Sequence, residues 1–128
     1  MANLDLIRGR QVVIPLTNRS GSEVAEGDVV ILDSTSDESF KTTTTARYDD
    51  TLVGVAQETI ANLGVGRILV AGYAPLVNVD AAVTRLHFME TFTVAKQAHG
   101  NAARRTGSTG QFLSSGTTPS AHLWGMAD

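Results

Sequence analysis

Apolar residues in this chain come in short runs, each closed by Gly, Ser, Asn or Pro, and are not spaced at intervals of three and four. Gln11 to Leu16 (QVVIPL) opens the series with the β-branched content of a strand. Pro15 has no amide hydrogen to give a ladder, so it restricts that strand to a sheet edge or ends it early. Asn18-Arg19-Ser20-Gly21-Ser22 reads as a turn, and Gly27-Asp28 launches a second strand at Val29 to Leu32. A polar loop from Asp33 to Ser39 leads to a threonine-rich strand, Phe40 to Thr45, whose side chains suit a half-exposed pleated surface. Thr51 to Ala56 (TLVGVA) is another strand, in which Gly54 marks a close backbone approach or a bulge.

Residues 66–80 (GRILVAGYAPLVNVD) read as two apolar segments hinged at Gly72-Tyr73-Ala74-Pro75. The first is apolar on both faces and is expected to be an interior strand. Residues 83–90 alternate, with Val83, Arg85, His87 and Met89 on one side and Thr84, Leu86, Phe88 and Glu90 on the other; Phe92 to Ala95 follows. Residues 99–109 have no periodic face and are expected to form a long exposed loop. Gln111 to Leu113 and Ala121 to Trp124 close the series. Only residues 57–65 and 100–105 suit a helix, and neither is long enough to stand alone.

Short strands at intervals of about ten residues predict an all-β fold, a small β-barrel or a sandwich. The order of runs also suggests two pseudo-repeated β-modules, 24–72 and 79–127, within one barrel-like unit spanning 11–128. Residues 28–35 and 83–90 are 55 positions apart, as are 66–72 and 121–127, while Gly54 and Gly110 miss that spacing by one. Two such modules would wrap one core, with Tyr73 to Asp80 as the crossover.

Composition narrows the function. A chain of 128 residues can bury roughly two thirds of its unfolded surface, enough for a core without staples. Hydrophobic residues make up 42% but aromatics only 5%, which favours packed aliphatic layers over large aromatic pockets. The absence of cysteine excludes disulfides, thiolate zinc sites and a cysteine nucleophile. Residues 1–11 carry Asp5, Arg8 and Arg10 and lack the apolar stretch of a secretory signal. The most apolar region is broken by Arg67, Gly and Pro well short of the ~20 residues of a membrane helix, so no spanning segment is expected. Residues 1–64 hold five basic against ten acidic side chains, net −5, and residues 65–128 five against three, net +2. The halves can therefore face different surfaces or neighbouring copies, or the scatter is simply uneven. An acidic balance without a basic, aromatic-interleaved stripe disfavours nucleic acid.

Catalytic and metal motifs dissolve on inspection. His87 and Glu90 are three apart, which on a strand puts them on opposite faces, so they cannot readily share a metal. His99 and His122 have no carboxylate or histidine nearby in sequence and read as a loop residue and a barrel-end residue. The stretch "TGSTG" at 106–110 lacks the Gly-x-Ser-x-Gly order and the following helix of a nucleophile elbow, which leaves a hydrolase built on Ser108 the weakest reading. Gly64-x-Gly66 precedes a strand instead of opening a helix, so it does not cradle a phosphate. Asn18-Arg19-Ser20 matches a glycosylation sequon and reads as a plain turn. Arg104-Arg105, near Lys96 and His99, is the one basic cluster, suited either to an acidic partner surface or to solvent. The expectation is a binding or structural protein, not an enzyme, with no metal and no cofactor.

The succession "VAEGDVVILDST", a Thr-rich strand, "LVGVAQE", "GVGRILVAGYAPLVNVD", "VAKQA" and "SAHLWG" resembles the small β-rich decoration (cement) proteins on the outside of tailed-phage capsids, over roughly residues 24–125. Where such proteins often place Gly-Asp before the second module's strand, this chain has Thr84-Arg85. The resemblance implies a β-barrel or β-tulip fold, usually trimeric, seated on the capsid exterior where several major capsid subunits meet and acting as a clamp. It also implies an extended N-terminal arm, residues 1–10. Leu4, Leu6 and Ile7, flanked by Arg8 and Arg10, are then the candidate arm contacts, with an ordinary first strand as the other reading; Arg104 and Arg105 are the candidate loop contacts. The implied partners are the major capsid protein and further copies of this chain, not nucleic acid or a membrane. A rival reading is a tail or surface adhesin module binding carbohydrate or a host receptor through exposed aromatics, for which Trp124, Tyr48 and Tyr73 are the candidates.

Overall fold

A computed structural model describes residues 11–43, 52–92, 94–104 and 108–124. Among these there are nine strands and no helix: β1 (Val12–Asn18), β2 (Val29–Leu32), β3 (Ser39–Thr42), β4 (Leu52–Ala56), β5 (Val65–Ala74), β6 (Phe88–Glu90), β7 (His99–Asn101), β8 (Gly110–Phe112) and β9 (Ala121–Trp124). They form one sheet in the order β1-β3-β2-β4-β5-β9-β8-β6-β7, and β1 also pairs with β5. That extra pairing closes β1, β3, β2, β4 and β5 into a five-stranded barrel, which is the first of the two all-β architectures the strand pattern allows.

β1 runs through Pro15, which pairs with Arg67 of β5. β3 joins β1 only at Thr17 and Asn18. At Pro15 the strand therefore has a neighbour on one side only, and that is where a missing N–H is tolerated. Gly54 fulfils both readings of its role. The register of β2 on β4 shifts beside it, and a Cβ at position 54 would stand 2.0 Å from the Leu69 carbonyl oxygen.

Several expectations are corrected. Residues 72–75 do not hinge two strands: β5 is a single ten-residue strand through Gly72, because its first part pairs with β1 and β4 and its last four residues with β9. Beyond Pro75 there is no second strand, only one parallel bridge between Val79 and Ala98. Leu86 adopts φ +76°, which breaks the alternation over 83–90, so that Val83 and Met89 are buried while Arg85 is exposed. Residues 99–101 form edge strand β7 on β6 instead of a loop. Phe92 and residues 94–95 are not strand, and residues 57–65 contain turns and a bridge at Ile60 in place of a helical turn.

The hydrogen bonds show the same wiring used twice. Val24 and Ile60 exchange backbone bonds of 2.9 and 2.8 Å, as Val83 and Gly116 do at 2.9 and 3.0 Å. The Gly27 N–H donates to Ala56 and the Ala56 N–H to Asp28; Leu86 donates to Phe112 and Phe112 to His87 in the same way, all four at 2.9 Å. β2 pairs with β3 and β4, and β4 with β5; β6 pairs with β7 and β8, and β8 with β9. Position 24 thus matches 83, position 54 matches 110 and position 68 matches 121, offsets of 59, 56 and 53. The constant spacing of 55 set the wrong residues opposite each other, because the second unit's connections are shorter at two places. β5 serves both units, with its last residues standing to β9 as β1 stands to β5.

Two buried clusters follow from this. Leu16, Val24, Val30, Phe40, Ala56, Ile60, Ile68 and Val70 fill the first barrel. The other face of β2, β4 and β5, carrying Val29, Val55 and Leu69, lies in one cluster with Met89, Phe112, Ala121 and Leu123. The second unit is therefore seated on the outside of the first. Each fully buried aliphatic side chain at this seam stabilises by about 1.5–3 kcal/mol relative to exposure.

Candidate functional site

Among the described residues there is no group of three or more His, Asp or Glu placed to hold a metal ion. His87 lies in the turn before β6, half-buried, and Ser108 is half-buried just before β8. His99, which has no carboxylate or histidine nearby in sequence, is paired in space: its Nδ1 is 3.0 Å from Asp80 Oδ2, and its ring stacks on Phe92 at 4.1 Å. Asp80 was invisible as a partner because it is 19 residues away in sequence. The pair sits beside the Val79–Ala98 bridge and reads as a fastening of the second unit. No helix among the described residues is long and apolar enough to cross a membrane.

The junction between the units is polar and well connected. Asn78 donates from Nδ2 to Asp28 Oδ1 at 2.8 Å and to the Glu26 carbonyl at 3.3 Å. Its backbone N–H donates to Gly27, and its carbonyl accepts from Ala98. Lys96 adds a second tie, donating its N–H to Thr43 Oγ1 at 2.7 Å and accepting from the Val29 N–H at 3.0 Å. In the Asp33 loop, the Thr35 hydroxyl and then the Thr35 N–H, at 2.7 and 2.8 Å, hold the Asp33 carboxyl below the ordinary carboxylate range, assisted by Lys41 and opposed by burial.

The most distinctive surface is the outer face of the second unit. Register places Tyr73, His122, Gln111, Phe88 and Asn101 opposite one another across β5, β9, β8, β6 and β7, so they form one cross-strand row. Their neighbours along the strands, Ala74, Ala121, Phe112 and Met89, are buried, which fixes the row as outward-facing. Tyr73 is 44% exposed and His122 is exposed. Leu86 and Leu113 border the row with exposures of 64% and 45%, and Gln111 Nε2 donates to the Leu86 carbonyl at 2.8 Å, which fixes its amide plane. Trp124 pairs with Ala71, two residues from Tyr73 along β5. Of the three aromatics singled out in the sequence, Tyr73 stands in the row and Trp124 falls on the adjacent strand β9; Tyr48 lies outside the described residues. His122, Gln111, Phe88 and Asn101 were missed as a group, since only the register reveals that they are neighbours.

Of the expected contact residues, Arg104 is exposed just beyond β7. Leu4, Leu6, Ile7, Arg8, Arg10 and Arg105 lie outside the described residues.

No family model matches the chain, and no curated protein does. Among solved structures, it is similar to the N base of the head fiber protein gp8.5 of bacteriophage phi29, with a TM-score of 0.60 and 11% sequence identity, over 88% of this chain and 93% of that one. At that identity the likeness defines an architecture, and it defines it over nearly the whole of both chains. The small β-rich barrel expected from the resemblance to capsid decoration proteins is the fold this chain has.

Proposed function

We propose that the chain is a structural protein of a phage head that binds the outer surface of assembled major capsid protein and stabilises the shell. The observation that supports this most is the architecture shared with the base of a phage head fiber over most of both chains. It agrees with the decoration-protein resemblance read from the sequence. In this reading residues 11–128 form the seated unit, residues 1–10 are an arm along the shell or a neighbouring copy, and the protein works as a homotrimer without catalysis.

The physical rationale is cooperative bridging. A domain of this size is stable by only about 5–15 kcal/mol. A clamp that spans several subunits makes its later contacts effectively intramolecular, so modest interfaces add up. The test is to mix purified protein with expanded, undecorated capsids and image them by cryo-microscopy. Density with threefold character at regular lattice positions is the expected result, and bare capsids at saturating protein would refute the reading. Deleting residues 2–10 should lower occupancy while leaving the unfolding midpoint unchanged; full occupancy would remove Leu4, Leu6, Ile7, Arg8 and Arg10 from the contact.

A further inference from the structure

We infer that the row Tyr73, His122, Gln111, Phe88 and Asn101 is a binding face for a short neutral oligosaccharide. This goes beyond the capsid-binding reading and does not depend on it.

The duplicated wiring locates the face. In the first unit the equivalents of Phe88, Gln111 and His122 are Val29, Val55 and Leu69, paired in one row and fully buried beneath the second unit. In the second unit the same three places are filled by an aromatic ring, an amide and an imidazole, and two further strands extend the row to Tyr73 and Asn101. A surface that only had to meet water would not need the aromatic residues, and one built to be covered by another barrel would keep the aliphatic triad. A ring with flanking amides is instead the chemistry that holds a sugar: an aromatic face for the apolar side of a pyranose, with donors and acceptors for its hydroxyls.

Size and charge select the occupant. Five strands about 4.8 Å apart span roughly 19 Å, and one or two rows of side chains cover on the order of 150–300 Å². A stable protein partner needs about 800 Å² on each side. None of the five residues is a carboxylate, lysine or arginine, so nothing in the row would select an anionic glycan over a neutral one. Gln111 is held in orientation by its bond to the Leu86 carbonyl, which limits the ordering cost of binding.

The test uses the full chain, labelled with nitrogen-15 and titrated by NMR with maltohexaose, cellohexaose, chitohexaose and mannopentaose at millimolar concentration. Saturable shifts at Tyr73, Phe88, Gln111 and His122 with at least one of these are expected. Tyr73→Ala should weaken that binding at least tenfold, and Arg67→Ala, on the first barrel, should leave it unchanged. His122→Ala gives an independent readout should Tyr73→Ala fail to fold, with a smaller loss expected. No shift with any of the four sugars, or undiminished binding by the folded Tyr73→Ala or His122→Ala protein, overturns the proposal. Shifts along the row that follow protein concentration alone would also overturn it, in favour of a second copy as the occupant.

Discussion

The two units of this molecule differ less in their hydrogen bonds than in what they bury. The first barrel has apolar residues on both faces of β2, β4 and β5: Val30, Ala56 and Ile68 point inward, while Val29, Val55 and Leu69 point outward into the second cluster. The second unit has one buried face, with Met89, Phe112 and Ala121 inside and Phe88, Gln111 and His122 outside. The same backbone plan thus serves once as an interior layer and once as a surface layer. Side-chain polarity on alternate residues is enough to make the difference.

The largest test of that shared plan is at its two equivalent glycines. A Cβ at Gly54 would stand 2.0 Å from the Leu69 carbonyl oxygen, and one at Gly110 would stand 2.4 Å from the His122 carbonyl oxygen. Both obstacles are backbone and cannot rotate away. Gly54→Ala and Gly110→Ala should each destabilise by about 3 kcal/mol or more, measured by urea unfolding, with the larger loss at Gly54. A neutral result at either would mean that the close approach is not common to both units.

Next in size is the strut between them. Asn78→Ala removes two side-chain bonds and leaves the buried Asp28 carboxylate with only the Ala25 N–H as a hydrogen-bond donor, a loss of about 1–2 kcal/mol. If the units are coupled mainly through this strut and the Lys96 tie, the single unfolding transition should broaden or split, read by Trp124 fluorescence against far-UV circular dichroism. A single sharp transition would assign the coupling to Val29, Val55 and Leu69 instead.

Smaller again is the contrast between Gly27 and Leu86, which occupy equivalent turns with φ of +91° and +76°. Leucine is strained in that region and here is 64% exposed. Leu86→Gly should therefore stabilise by roughly 0.5 kcal/mol. Gly27→Ala should destabilise, since a Cβ there meets Leu76 at 3.1 Å in a conformation that disfavours it. Thermal unfolding of the pair, run side by side, checks the opposite signs.

The smallest effect is confined to the first barrel. Asp33 has its folded pKa depressed, chiefly by Thr35. Its contribution to stability is present above the unfolded value of about 3.9 and is lost as pH falls through the lower folded value. Asp33→Asn should flatten the decline of stability with acid below about pH 4, measured as the unfolding midpoint against pH. An unchanged slope would show that other carboxylates dominate.

Much of the fold was legible in the sequence. Val29 to Leu32 and Ala121 to Trp124 were placed to the residue: the first is an aliphatic run launched by Gly27-Asp28, and the second follows the turn-rich stretch from Gly116 to Ser120. The single β5 was not, because Gly72 and Pro75 are local stop signals and the pairing that carries the strand between them is tertiary. β7 was missed for the converse reason: His99-Gly100-Asn101 has no strand propensity and is ordered by β6. Tyr73 could be singled out as an aromatic, but its place beside His122 and Gln111 rests on register, which a one-residue slip would reverse.

β5 is a party wall. Its first residues close one enclosure with β1 and its last four supply a neighbour for β9, so no cut in the chain gives each half a complete perimeter. A fragment ending before Val65 would have an open seam, and one beginning after Ala74 would leave an edge of β9 bare. In this molecule the piece that closes a barrel, β1 to β5, is larger than the piece that repeats.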